Sequence, residues 1–205
     1  MHLDPSQETL MGVTVGALLA SAGGLLAGRV EQRLRRRERE QSAALLFGEI
    51  LAALQLILRL ADESRSRGDP YGPITLRFLM AAQRETEIYD RNRETLFDLR
   101  NAGLRARTHL LLLQLILTLD AVFETNRTVR ASPDVDPPAA AIAARDSAFE
   151  FLLELRALIP ALLASYERIA RHTFDAHDAA ARQSLGPRPE ARQQAAPGAV
   201  GNPVR

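Results

Sequence analysis

Residues 10–28 read LMGVTVGALLASAGGLLAG, nineteen positions without a charge. Asp4 and Glu8 stand before this stretch, and Arg29 opens the run RVEQRLRRRERE directly after it. A membrane span takes about 20 apolar residues, because each adds about 1.5 Å of rise against a hydrocarbon layer about 30 Å thick. The spacing therefore predicts one transmembrane helix over 9–28, after a short segment 1–8. Asp4-Pro5 suits a helix start: Asp accepts from the unpaired first amides, and Pro fits the first helical position. Ala20-Ser21-Ala22 resembles a leader-peptide cleavage site, but a leader needs a positive start, and MHLDPSQE is acidic. A Gly-rich apolar stretch also suits the buried helix of a soluble core.

The flanks orient the span. Arg29, Arg33, Arg35, Arg36, Arg37 and Arg39 crowd one end, and no basic residue but His2 lies at the other. Basic flanks stay cytoplasmic. The expectation is a single-pass protein of the inner (cytoplasmic) membrane, with the N-terminus outside and the body in the cytoplasm. The six arginines are also placed to meet anionic lipid headgroups, at about 1 kcal/mol each near the surface. Glu31, Glu38 and Glu40 offset part of that charge, which argues against nucleic acid as a partner. Gly12, Gly16, Ala20, Gly24 and Gly28 recur every fourth position and form one shallow stripe on a helix. In lipid such a stripe lets two backbones approach, so self-association into a homo-oligomer is expected.

Composition removes whole classes of chemistry. The chain has no Cys, and all 26 of its Lys and Arg residues are Arg. Without Cys there is no disulfide, thiol nucleophile or thiolate metal site. Without Lys there is no phosphate-loop lysine and no Schiff base. A formal net charge of +1 leaves no global nucleic-acid footprint. The bias to Arg and Ala suggests a GC-rich bacterial genome.

Downstream, Gly48 is the only glycine and there is no proline over 29–62, so the span should continue through a basic neck (29–41) as one helix. Phe47, Leu51, Leu54, Leu58 and Ala61 follow a +4,+3 rhythm. Leu46, Ile50, Ala53, Ile57 and Leu60 repeat it one residue earlier, and together they make a wide apolar face. A loop is expected over 62–73. A helix is expected over about 75–101 on Leu76, Leu79, Met80, Ile88, Leu96 and Leu99, with a break near 83–88. Asn101-Ala102-Gly103 reads as a stop. A third cytoplasmic helix covers 104–129. Its apolar run, 110–123, is bracketed by charge and is too short for a second span. A loop over 131–136 precedes a helix to about 182, kinked at Pro160. Its buried face is expected on Phe151, Leu155, Leu158, Leu162 and Ile169, with Phe149, Leu152, Ile159, Leu163 and Tyr166 alongside. The tail, 183–205, is too polar and Pro/Gly-rich to order itself. The fold expected is all-α: a transmembrane helix continuing into an antiparallel bundle (42–182), then a disordered tail.

The Gly-rich span, the arginine neck, ALLFGEIL and IYDRNRETL, with Tyr89, Asn92 and Leu96, resemble single-pass bacterial membrane proteins with a helical cytoplasmic body. The resemblance covers about residues 5–125 and implies architecture only. The basic and then apolar run RNAGLRARTHLLLL after Leu99 departs from it.

Few residues suggest a site. Tyr89, Asn92 and Arg93 share one side of a helical turn, and with Glu49 they form a candidate polar patch for a ligand or for bundle register. His172, Asp175 and His177 invite a metal reading, but His177 falls off the shared face, and Glu167, Arg171 and Asp175 make an i,i+4 charge ladder instead. His109 and Asp120 share a face three turns apart, too far for one pocket. With no constellation meeting the geometry of a catalytic site, no enzyme activity, metal or cofactor is expected. The reading is a membrane-anchored interaction or scaffold protein with an unknown protein partner, or alternatively a membrane-bound sensor bundle.

Overall fold

A computed structural model describes the backbone of residues 5–131 and 139–175, and the side chains of 28–131 and 139–175. Every regular element among them is helical: α1 (Pro5–Ser66), α2 (Pro73–Arg91), a 3-10 turn (Arg93–Asp98), α3 (Ala102–Arg130) and α4 (Ala139–Ala170). The tail expected over 183–205 lies outside the described residues.

α1 is one helix of 62 residues, about 90 Å long at 1.5 Å per residue. It carries the charge-free segment, the neck and the first core helix without a break. Residues 28–39 are exposed on every side, and from Glu40 onward side chains turn inward. The seam Phe47, Leu51, Leu54, Leu58 and Ala61 is fully buried, and Leu46 and Ile57 pack at its edge. The helix overruns the loop expected from 62 by one turn and ends at Ser66, before Gly68 at φ +97°. Two described helices, Gly28–Ser66 and Ala102–Arg130, are long and apolar enough to cross a membrane. Half of the apolar stretch in the first is buried in the protein's own core, as in a core helix.

Asp69 starts α2. Its Oδ2 accepts from the amides of Ile74 and Thr75 at 3.1 and 3.2 Å, and its carbonyl accepts from Thr75 Oγ1 at 2.7 Å. A Cβ on Gly72 would collide with that carboxylate, so glycine there keeps the cap open. α2 buries Thr75, Leu79, Ala82, Thr86 and Tyr89. It ends at Arg91 and not near 83–88, because Asn92 turns both its amide and its Nδ2 back onto Ile88 O. Met80 and Ile88, expected inside, are 43% and 38% exposed. The threonines take those places on the inner face.

Asn101 begins a helix where a stop was expected. Its side chain accepts from Leu104 N at 3.0 Å and caps α3. α4 runs through Pro160, which is exposed. Its inner face is Phe149, Leu152, Leu155, Ile159, Leu162 and Tyr166. Phe151 and Leu158 were expected inside but are 41% and 55% exposed. The rotation is fixed by two aromatic contacts. Tyr166 reaches Thr108 Oγ1 at 2.7 Å, and the Phe149 ring meets Tyr71 edge-on at 5.8 Å.

α4 stops at Ala170, short of the expected 182. Arg171 adopts φ +55°, and the chain folds back. Glu167 Oε1 accepts from Phe174 N at 3.3 Å, and the Phe174 ring lies against Gly48 of α1, where a Cβ would overlap it. The sole glycine over residues 29–62 of α1 is therefore a seat for an aromatic ring.

α1 packs on α2 and α4, and α3 packs on α4 and, less extensively, on α2. Near the neck, Arg100 Nε pairs with Glu40 Oε2 at 3.2 Å. Away from it, Tyr71 is held from three sides. Its hydroxyl donates to Asp146 Oδ1 at 2.7 Å, its carbonyl accepts from Arg130 at 2.7 Å, and the Arg145 guanidinium lies 3.9 Å over its ring. Those contacts hold Tyr71 at φ +59°, a conformation side chains rarely adopt.

Candidate functional site

The exposed neck carries Arg29, Arg33, Arg35, Arg36, Arg37 and Arg39 around a bare helix. The i,i+4 geometry brings Glu31 and Arg35 together at 2.5 Å. Arg36 and Glu40 share that i,i+4 spacing, but Glu40 pairs elsewhere. Glu40 turns to the segment before α3, where its two oxygens meet the backbone amide and Nε of Arg100.

Glu40 sits at the foot of the helices, and arginines far apart in sequence gather round it. Two adjoining crevices of about 280 and 320 Å³ share Glu40, Arg168 and Ile169. Arg37 and Arg171 line the first, and Arg100 and Arg107 line the second. Helices α1, α3 and α4 and the segment before α3 each contribute. No periodicity within one helix could have revealed this group.

Of the self-association stripe, Gly12, Gly16, Ala20 and Gly24 lie in α1, but their surroundings fall outside the described side chains. Gly28 is exposed, with open space where a Cβ would be.

The residues of the candidate polar patch lie on α1, at the end of α2 and on the 3-10 turn that follows α2. Tyr89 is buried and its hydroxyl meets His109 Nδ1 of α3 at 2.5 Å. Burial raises the Tyr89 pKa above the ordinary tyrosine value, partly countered by the nearby Arg93 charge. Asn92 bonds within its own helix, to Ile88 O at 2.8 Å. Arg93 is exposed. Glu49 faces the chain after α4, with His172 Nε2 3.8 Å away. The Asn92 amide also bonds Tyr89 O at 3.0 Å, so these two lie one turn apart as the i,i+3 spacing implied.

His172 and Asp175 lie beyond the end of α4, so the charge ladder Glu167, Arg171, Asp175 does not form. Glu167 accepts from the Phe174 amide instead. His177 lies outside the described residues. No group of three or more His, Asp or Glu able to hold a metal occurs among the described residues. His109 and Asp120 both face α2, as their spacing implied: His109 meets Tyr89, and Asp120 Oδ1 accepts from Gln83 Nε2 at 3.1 Å.

Sequence reasoning missed the aromatic centre. Phe47 contacts both Tyr89 and Tyr166, with ring centroids 6.2 and 6.4 Å away. Burial pushes the Tyr166 hydroxyl up to about 12, despite its bond to Thr108, which lowers it. A groove of about 790 Å³ between α2 and α3 is lined by Met80, Gln83, Asp120, Phe123 and Asn126, among others. Leu110, Leu113 and Leu117 form an exposed stripe on α3, at 55%, 41% and 61%.

Compared with protein families, curated proteins and solved structures, the chain matches none.

Proposed function

We propose that this chain is a membrane-anchored helical protein: residues 9–28 cross a membrane once, and the helices after the neck form a small antiparallel bundle beside it. Within that class, the reading is an interaction or scaffold protein of the inner membrane, N-terminus outside and body in the cytoplasm, self-associating through the stripe from Gly12 to Gly28. The observation that carries the reading is the continuity of α1. One unbroken helix joins a charge-free segment long enough to span, an all-exposed arginine neck and a buried core seam. Such a join fixes the body at a set distance from the bilayer, about 18 Å from Gly28 to Glu40 at 1.5 Å per residue. The exposed leucines of α3 offer an apolar strip to a protein partner.

The same continuity supports a second reading, a sensor bundle. A shift or rotation of the span would pass into the core without a hinge. The two share a topology test. A reporter fused after Arg205 should be active only where cytoplasmic location is required, and periplasmic phosphatase activity from that fusion would sink both. Partner capture from detergent-solubilised membranes, with and without Leu113→Glu and Leu117→Glu, tests the scaffold role. Capture unaffected by those charges would remove the α3 strip from the reading.

A further inference from the structure

We propose that the paired crevices around Glu40 form a binding site for a phosphate-bearing anion, held by Arg100, Arg107 and Arg168 with Arg37 and Arg171 at the margin. The inference does not depend on residues 9–28 crossing a membrane. Five arginines line the two crevices against one carboxylate. That carboxylate is spent: both Glu40 oxygens are occupied by Arg100, and the Glu40 side chain is only 16% exposed. Among the described residues Arg37, Arg107, Arg168 and Arg171 make no ion pair, and all four are exposed. Like charges gathered from three helices repel unless an anion joins them. A cluster formed by folding therefore calls for a counter-ion that the chain itself does not provide there.

The forks are also restrained. Arg107 Nε donates to Gly103 O and Arg168 Nε donates to Ala164 O, at 3.3 and 3.2 Å, each one turn back on its own helix. Those tethers restrain the planar guanidinium groups through Nε and leave their Nη donors for other partners; one Arg168 Nη makes a long 3.4 Å contact to Ser165 Oγ. Guanidinium forks match phosphate oxygens two at a time, which a flexible ammonium cannot reproduce. The start of α3, with Asn101 and Leu104 in the lining, adds the positive end of a long helix. The crevice holds no aromatic side chain among its lining residues, so the recognised chemistry is the phosphate itself and not a base stacked beside it. A lipid headgroup and a small soluble phosphate both present that chemistry.

The test uses the full chain purified in a neutral detergent, with thermal unfolding as readout and two probes. One is inorganic pyrophosphate; the other is phosphatidylglycerol in the micelle, against phosphatidylcholine. Stabilisation by pyrophosphate identifies a soluble phosphate as ligand, and stabilisation by phosphatidylglycerol alone identifies a headgroup. For the effective probe, Arg107→Gln with Arg168→Gln should weaken apparent affinity by about tenfold or more, as expected for lost charge-assisted bonds. Arg107→Lys with Arg168→Lys, which keeps the charge but loses the forks, should also weaken it. Arg77→Gln with Arg84→Gln, both exposed on α2, should leave it within about twofold of the parent, since neither arginine lines the crevices. The proposal is overturned if neither probe stabilises the parent, if the lysine variant binds as well as the parent, or if the α2 variant loses as much as the crevice variant.

Discussion

Replacing Gly48 by Ala should destabilise this protein, although in most helix interiors the same change stabilises. Ala favours a helix over Gly by about 0.8–1 kcal/mol. At position 48 the added Cβ falls within the Phe174 ring. The α1 backbone cannot retreat, because Phe47 and Leu51 beside it are fully buried. The ring is on a short extended segment after α4 and must leave. Phe174 is 5% exposed, and burying a phenylalanine contributes about 1.5–3 kcal/mol. The net loss for Gly48→Ala is therefore about 0.5–2 kcal/mol. With Phe174→Ala already in place there is no ring to displace, and Gly48→Ala should then stabilise by about 1 kcal/mol. The sign of one substitution reverses with the residue opposite, which is a coupling of about 1.5–3 kcal/mol. Thermal unfolding followed by circular dichroism reads this directly, at about 3 °C per kcal/mol for a body of this size. Gly48→Ala should lower the Tm of the parent and raise that of the Phe174→Ala protein. A rise of equal size in both backgrounds would refute the seating of Phe174 on α1.

The three tyrosines of the chain are all buried, and burial raises the pKa of each, that of Tyr166 to about 12. The folded state then keeps these protons to a higher pH than the unfolded state, so the tyrosines' contribution to stability is constant below about pH 10 and falls as pH rises toward 12. Tyrosinate absorbance should appear together with loss of helix, and a free titration near pH 10 with helix intact would contradict the burial. Tyr89→Phe leaves His109 Nδ1 without its partner and should cost about 1–2 kcal/mol, whereas Asn92→Ala loses only a bond within its own helix and should cost about 0.5 kcal/mol; the reverse order in chemical denaturation would restore Asn92 as the structural residue. For the span, Gly16→Leu with Gly24→Leu should reduce association of residues 1–40 in a membrane two-hybrid assay, while Leu19→Ile should not; undiminished signal from the double variant would remove the stripe as an interface.

The inner face of α1 was legible because its core positions are all large or apolar and the helix has no stop. α2 was less so, for a reason visible in its residues. Its core rhythm Thr75, Leu79, Ala82, Thr86, Tyr89 keeps strict +4,+3,+4,+3 spacing, but two of the five are threonines. Thr86 Oγ1 donates to Gln83 O and Thr75 Oγ1 to Asp69 O, both at 2.7 Å. With the hydroxyl satisfied by the backbone, threonine packs as a β-branched apolar residue. Reading only hydrocarbon side chains shifted the face onto Met80 and Ile88. On α4 two apolar seams competed, and sequence spacing alone carries no information about which one Tyr71 and Thr108 would select from across the fold. Asn101 could close one helix or open the next, and the deciding bond is to the amide of Leu104. The arginines around Glu40 were the least legible of all, because they come together only when three helices are in place.

The neck raises a different question, since its residues 29–39 are all exposed. A dozen residues of lone helix are marginal in water, chiefly because the first turn is hard to nucleate. Here the cost of nucleation is absent: the core holds the helix from Glu40 onward, and the helix continues on the other side through residues 10–28. Charge works against it. Arg29 and Arg33, Arg33 and Arg37, and Arg35 and Arg39 are like-charge pairs at i,i+4, each unfavourable by about 0.2–0.5 kcal/mol. The pair of Glu31 with Arg35, exposed on both sides, offsets only one of them. The neck should therefore be the weakest stretch of α1 when unscreened, and an anionic surface or added salt should firm it. Backbone hydrogen exchange over 29–39 should slow as salt rises from about 0.01 to 0.15 M, where the screening length falls from about 30 to 8 Å. Exchange over 43–61, protected by the core, should not change. Phosphatidylglycerol in place of phosphatidylcholine should slow the neck further at low salt. A neck whose exchange ignores both salt and lipid charge would mean that its helix is limited by something other than the repulsion among its own arginines.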